Sequence, residues 1–230
     1  MKQPLLLLHG AIGSEKQFEK LKEELEGHYD VLTMNFSGHG GREIPGEFSI
    51  EQFAGEVMEF LNSKGIQRIS IFGYSMGGYV ALYLARHNPE VVERLVTLAT
   101  KFNWTEETAA REVKMLQPDI IEGKLPQFAQ ELKERHSTAD WKKVLTNTAD
   151  MLLRMGVSNP LMVDDIKLIS CPVLLMVGDK DKMVTAEETI SVYRQLSSGQ
   201  LAILPGTPHP IEQTDAAMIA YHLNRFLQKA

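Results

Sequence analysis

Short apolar runs alternate with longer amphipathic stretches along most of the chain, and few folds accommodate that order. The runs cover 4–9, 29–35, 68–72, 94–100, 172–178 and 200–204 and are rich in leucine and β-branched residues. Continuous apolar runs of this length read as strands buried on both faces. Between them, 49–64 opens with Ser49 three residues before Gln52, the spacing of a capping box. It places Phe53, Val57, Phe60 and Leu61 at helical spacing and stops at Gly65. Thr185 with Glu188 opens another helix, and Thr214 or Asp215 caps the last, which carries Met218, Ile219, Leu223, Phe226 and Leu227. Such alternation predicts an α/β fold, with a mostly parallel sheet of about six strands and helices on both faces.

One interval breaks the rhythm. From 101 to 170 no strand pattern occurs, while helix signals recur: Thr105 before Glu106 and Glu107, Pro126 at a first-turn position, and a face of Trp141, Val144, Leu145, Thr148, Met151, Leu152 and Met155 ending at Gly156. The expected organisation is a core of 1–100 and 171–230 with a helical lid inserted at 101–170.

Charge and composition narrow the function classes. The net charge is −6, and no run of Lys or Arg makes the basic stripe that nucleic acid requires. The apolar run at 5–8 is too short for a signal peptide or a membrane span. The single cysteine, Cys171, cannot close an intrachain disulfide and reads as a small buried residue, so the cytoplasm is the expected location. No metal-ligand spacing or phosphate-cradling loop occurs, so neither metal nor cofactor is expected. Nothing in the sequence sets an oligomeric state.

The most specific chemical signal is Gly73-Tyr74-Ser75-Met76-Gly77-Gly78, a G-x-S-x-G motif directly after the run at 68–72 and before an apolar-periodic helix at 76–87. A strand turning this sharply into a helix brings neighbouring backbones close, which suits glycine. It lifts the Ser75 hydroxyl to a helix N-terminus, whose partial positive charge favours a developing anion.

With this motif the sequence resembles the α/β-hydrolase family over nearly its whole length. His9-Gly10-Ala11-Ile12-Gly13 is similar to the family's oxyanion loop. The segment Gly178-Asp179-Lys180-Asp181-Lys182-Met183-Val184 is similar to its acid turn, and Gly206-Thr207-Pro208-His209 to its histidine loop. The order Ser, Asp, His is the family's. The resemblance implies Ser75 as nucleophile, His209 as base, Asp181 as its orienting acid, and the backbone N–H groups of Ala11 and Met76 as the oxyanion hole. Serine needs such a base, and an imidazole with an ordinary pKa near 6.5 both accepts and returns a proton near neutrality. The sequence departs from the family at Pro208 and Pro210 around the histidine and at Asn35 and Ser37 where Asp and Pro are usual, and because it opens on the strand that feeds the oxyanion loop the family's first hairpin is not expected.

Other residues compete for these roles. His9 and His39 lie in glycine-rich loops and compete with His209, while Asp179 competes with Asp181; His28, His87, His136 and His222 read as surface or core residues. Ile12, Phe102, Trp104, Trp141 and Met151 are candidates for the substrate pocket, with Met115, Phe128 and Met155 beside them, although Met and aromatics at helical spacing are more often core. The resemblance implies a serine hydrolase acting on a small ester, thioester or amide, with a small-molecule acyl substrate and no nucleic acid or membrane partner. Related scaffolds also serve as lyases, acyltransferases, perhydrolases and slow-turnover ligand receptors.

Overall fold

The computed structural model describes residues 2–228. Six strands, β1 (Gln3–Leu8), β2 (Tyr29–Met34), β3 (Ile69–Tyr74), β4 (Val92–Leu98), β5 (Val173–Gly178) and β6 (Gly199–Leu204), form one sheet. Their order is β2-β1-β3-β4-β5-β6 and every pairing is parallel. The inner strands are mainly apolar because both faces are covered. Leu6, Leu8, Ile69 and Ile71 join one core, and Leu5, Leu7, Phe72 and Tyr74 the other.

Crossover helices supply the cover. α1 (Glu19–Leu25) follows β1, α2 (Ile50–Ser63) follows β2 and α3 (Met76–His87) follows β3. Between β4 and β5 come α4 (Glu106–Glu112), α5 (Pro118–Lys124), α6 (Pro126–Arg135), α7 (Trp141–Val157) and α8 (Val163–Lys167). α9 (Ala186–Tyr193) follows β5, and α10 (Ala216–Leu227) follows β6. α2 and α3 pack on the first core, α1 and α10 on the second.

Local chemistry explains the helix ends. Ser49 Oγ accepts the Gln52 N–H, Asp140 caps α7 through the Lys142 and Lys143 N–H groups, and Asp215 rather than Thr214 caps α10. Only half of the expected box at α2 forms, because the Gln52 amide turns to Glu56 at 3.0 Å. Gly156 does not end its helix; a Cβ there would lie 2.8 Å from the Ala109 Cβ, so it lets α4 and α7 pack closely.

The strand order positions the site. From β1 the chain runs to the edge strand β2 and returns to β3 on the other side of β1. Connections leaving the C-terminal ends of β1 and β3 therefore diverge and open a crevice, the usual ligand position in an open parallel sheet. No helix among the described residues is long and apolar enough to cross a membrane.

Candidate active site

Between the end of β3 at Tyr74 and the start of α3 at Met76 a single residue must reverse the chain. Ser75 does so with φ 50° and ψ −116°, a region that non-glycine residues seldom occupy. Its surroundings hold it there. The Ser75 N–H donates to Leu98 O at 2.8 Å, and its carbonyl accepts from Thr100 Oγ1 at 3.1 Å and from the Gly78 N–H at 3.0 Å. The turn also needs glycine beside it, since a Cβ on Gly77 would lie 2.1 Å from the Leu8 carbonyl oxygen at the end of β1.

Two loops bring the partners of Ser75. His209 follows β6, and its carbonyl accepts from the Tyr74 hydroxyl at 3.1 Å. Its Nε2 lies 3.4 Å from Ser75 Oγ, and its Nδ1–H donates to Asp181 Oδ2 at 2.8 Å. Asp181 sits in the turn after β5, its side chain fully shielded from solvent, with Oδ1 accepting the Met183 and Val184 N–H groups at 2.8 and 2.9 Å. The two loops meet because Gly178 lacks a side chain: a Cβ there would overlap Thr207 O at 1.9 Å. Asp179 faces elsewhere, accepting the Thr207 N–H at 3.3 Å. The structure thus brings Ser75, His209 and Asp181 into one line and leaves Asp179 outside it.

The loop after β1 closes the near side. A bond from the Gly13 N–H to Gly10 O at 3.1 Å forms a turn with Ala11 and Ile12 at its centre. Ile12 has φ 52°, an unfavourable conformation for a β-branched residue. Its carbonyl is held by two donors from the end of α6, Arg135 Nη1 at 3.1 Å and His136 Nε2 at 3.2 Å. The His136 Nδ1 accepts the Gly40 N–H at 3.2 Å, which fixes the proton on Nε2. His9 is likewise committed, donating from Nδ1 to Gly10 O at 2.8 Å and accepting the Phe36 N–H at 3.1 Å. His39 bonds the Ser37 carbonyl at 2.9 Å. All three rings are buried, and burial pushes His9 and His136 down to about 4 and His39 well below the ordinary imidazole value. They are neutral supports beneath the loop. His136, read from sequence as a surface or core residue, belongs to this framework.

Above Ser75 lies a cavity of about 540 Å³, within the range of roughly 300–1,000 Å³ usual for small-molecule sites. Ala11, Ile12, Ser75, Met76 and His209 line it below, and Trp104, Met115, Phe128, Met151 and Met155 line it from the helical segment between β4 and β5. As the first residue of α3, Met76 has an N–H without an intrahelical acceptor. Two sequence expectations are corrected. Phe102 packs against the main core, and Trp141 packs with Ile121, Ala129, Leu132 and Leu145 in a separate small core; neither lines the cavity. Lys101, Glu112, Arg135 and Glu212 do line it, and no local motif marked them.

Cys171 is buried away from these groups, and burial pushes its thiol up to about 11. Among the described residues no group of three or more His, Cys, Asp or Glu side chains is arranged to hold a metal ion.

Residues 3–146 match the model of a family described as the alpha/beta hydrolase fold. The chain is similar to an (E)-2-((N-methylformamido)methylene)succinate hydrolase of Acinetobacter baylyi, at 20% identity over 98% of this chain and 90% of that protein. It is similar over a shorter stretch to a pimeloyl-[acyl-carrier protein] methyl ester esterase of Citrobacter koseri, at 32% identity over 56% of this chain and 46% of that one. The crystal structure of an enol-lactonase from Burkholderia xenovorans superposes with a TM-score of 0.80 at 18% identity, covering 100% of this chain and 92% of that one.

Proposed function

The chain belongs to the alpha/beta hydrolase fold family and is an enzyme of hydrolase type, and from that premise we propose that it cleaves a small carboxylic ester, thioester or amide through an acyl-enzyme on Ser75. The observation that carries this reading is the run from Ser75 Oγ to His209 Nε2 at 3.4 Å and from His209 Nδ1 to Asp181 Oδ2 at 2.8 Å. The first distance is long for a hydrogen bond, as is common in unliganded sites, where such contacts tighten on binding substrate.

His209 takes the Ser75 proton as Oγ attacks the substrate carbonyl carbon. The negative charge that forms on the carbonyl oxygen is received by the N–H groups of Ala11 and Met76, a contribution worth roughly 10²–10³ in rate per donor. Asp181 holds the Nδ1–H and stabilises the imidazolium. His209 then protonates the leaving group and activates water to release the acid. The helices between β4 and β5 act as a lid that shapes the acyl side of the cavity. The substrate is a small acyl compound, in keeping with a net charge of −6 that does not suit nucleic acid. The lone buried cysteine suits the cytoplasm.

A fluorophosphonate probe should label the wild-type protein and leave Ser75→Ala unlabelled. Turnover on a good p-nitrophenyl ester should reach at least about 1 per second, the lower end of ordinary enzyme values. A single turnover with a persistent adduct on every ester would instead indicate a ligand receptor.

A further inference from the structure

The cavity over Ser75 is apolar in its walls yet carries five charged side chains, and their pairing decides what it can receive. The cations are Lys101 and Arg135; the carboxylates are Glu112, Glu131 and Glu212. Neither cation is free. The Lys101 ammonium donates to Met183 O at 3.0 Å and lies 3.5 Å from Glu112 Oε1 and 3.9 Å from Glu188 Oε2. One N–H of the ammonium is thus spent on a carbonyl, and its charge is balanced by two carboxylates at ion-pair distance. The side chains of Lys101, Glu112 and Glu188 are 9%, 10% and 12% exposed, so this cation and two carboxylates share a site largely withdrawn from water, while the exposed Arg111 reaches the same Glu112 Oε1 from outside at 3.3 Å. Arg135 spends Nη1 on Ile12 O at 3.1 Å, and its Nη2 lies 3.5 Å from Glu212 Oε1. Glu212 also accepts from Gln17 at 2.8 Å.

A substrate carboxylate entering this space would lose its hydration and find no cation without a carboxylate already beside it. Burying a charge without a partner is strongly unfavourable. An alkyl chain meets the opposite situation, with Trp104, Met115, Phe128, Met151, Leu152 and Met155 offering apolar contact. Methionine adapts its shape at low cost, so this wall tolerates chains of differing length.

We infer that the site selects esters whose cavity-bound group is uncharged and apolar and rejects those carrying a carboxylate, with Glu112 as the main residue enforcing the choice by neutralising Lys101. This rests on the hydrolase reading above and names its substrate class. A matched pair tests it: p-nitrophenyl hexanoate and the mono-p-nitrophenyl ester of adipic acid, which has the same chain ending in a carboxylate. Wild-type enzyme should prefer the hexanoate by at least about 100-fold in kcat/KM, as the penalty for an unpaired buried charge implies. Glu112→Gln, which keeps shape and removes the charge, should narrow that preference by about tenfold through faster cleavage of the adipate. Glu212→Gln, at a pair more open to water, should narrow it less, and it supplies a second variant if the first does not fold.

Wild-type cleavage of the adipate within about threefold of the hexanoate would overturn the inference. So would an unchanged preference in both variants. If instead neither ester is turned over and the fluorophosphonate leaves Ser75 unlabelled, the hydrolase mechanism itself has failed, an outcome distinct from an inverted preference.

Discussion

Replacing Asp181 by Asn removes one charge and almost no volume, and the hydrogen bonds around it dictate how the new amide must sit. Oδ1 accepts two backbone N–H groups, from Met183 at 2.8 Å and Val184 at 2.9 Å, while Oδ2 accepts the His209 Nδ1–H at 2.8 Å. Only the amide oxygen can satisfy two donors, so the NH₂ group takes the Oδ2 position. It then donates to His209 Nδ1, which must carry the lone pair, and the ring proton moves to Nε2. That is the nitrogen 3.4 Å from Ser75 Oγ, and once protonated it cannot take the serine proton. The same tautomer error in serine proteases costs about 10⁴ in turnover, equivalent to about 5.5 kcal/mol of barrier at about 1.36 kcal/mol per tenfold.

The Asp181 side chain is fully shielded, so no water competes for the position. Both backbone bonds survive, so Asp181→Asn should change the folding free energy by no more than about 1 kcal/mol, the scale of one hydrogen bond. Asp179 accepts the Thr207 N–H at 3.3 Å and lies 3.7 Å from the Lys180 ammonium. Asp179→Asn should therefore lose less than about tenfold, since a weakened hydrogen bond is worth about 1 kcal/mol. The assay is kcat on p-nitrophenyl acetate beside a thermal melt of each variant. Asp181→Asn retaining a tenth or more of wild-type kcat, or an equal loss in Asp179→Asn, would refute the reasoning.

Three further outcomes follow from the packing and the buried rings. Gly77→Ala drives a Cβ to 2.1 Å from Leu8 O and should cost about 3 kcal/mol or more in urea unfolding; Gly55→Ala, with nothing within 4 Å, should stabilise α2 by about 0.5–1 kcal/mol. Trp104→Ala should alter the acyl chain-length profile because Trp104 lines the cavity, whereas Trp141→Ala should leave the profile intact and cost up to about 3 kcal/mol of stability from its half-buried ring. His9 and His136 are held at about 4 against 6.5 unfolded, so the unfolded chain binds more protons between those values; their contribution is intact above pH 6.5 and lost as pH falls toward 4, up to about 3 kcal/mol each. The melting temperature should fall as pH drops from 6.5 to 5, and a flat profile there would count against neutral buried rings.

Much of the fold was legible because the inner strands are covered on both faces, so runs such as Leu5 to Leu8 are apolar without interruption. α1 left no clear signal, since in seven residues it buries only Leu21 and Leu25. Trp141 misled for a geometric reason. It shares a helical face with Met151, but α7 has 17 residues and so spans about 25 Å. Its first turn lies over the small core of Ile121, Ala129 and Leu132, and its later turns over the cavity. Asp181 and Asp179 were separated in sequence only by resemblance, whereas the bonds from Met183 and Val184 separate them in space. His136 and Arg135 carried no local signal at all. Their partner is the Ile12 carbonyl, more than 120 residues away in sequence, and a contact of that range leaves no periodicity to read.

The central claim is that Ser75 carries the acyl group during turnover. Acid-quenching the enzyme during steady-state hydrolysis of a p-nitrophenyl ester, followed by peptide mass spectrometry, tests it most directly. One acyl increment should appear on the peptide containing Ser75, be lost on further incubation and be absent in Ser75→Ala. An increment on a different residue, or full turnover by Ser75→Ala, would contradict it.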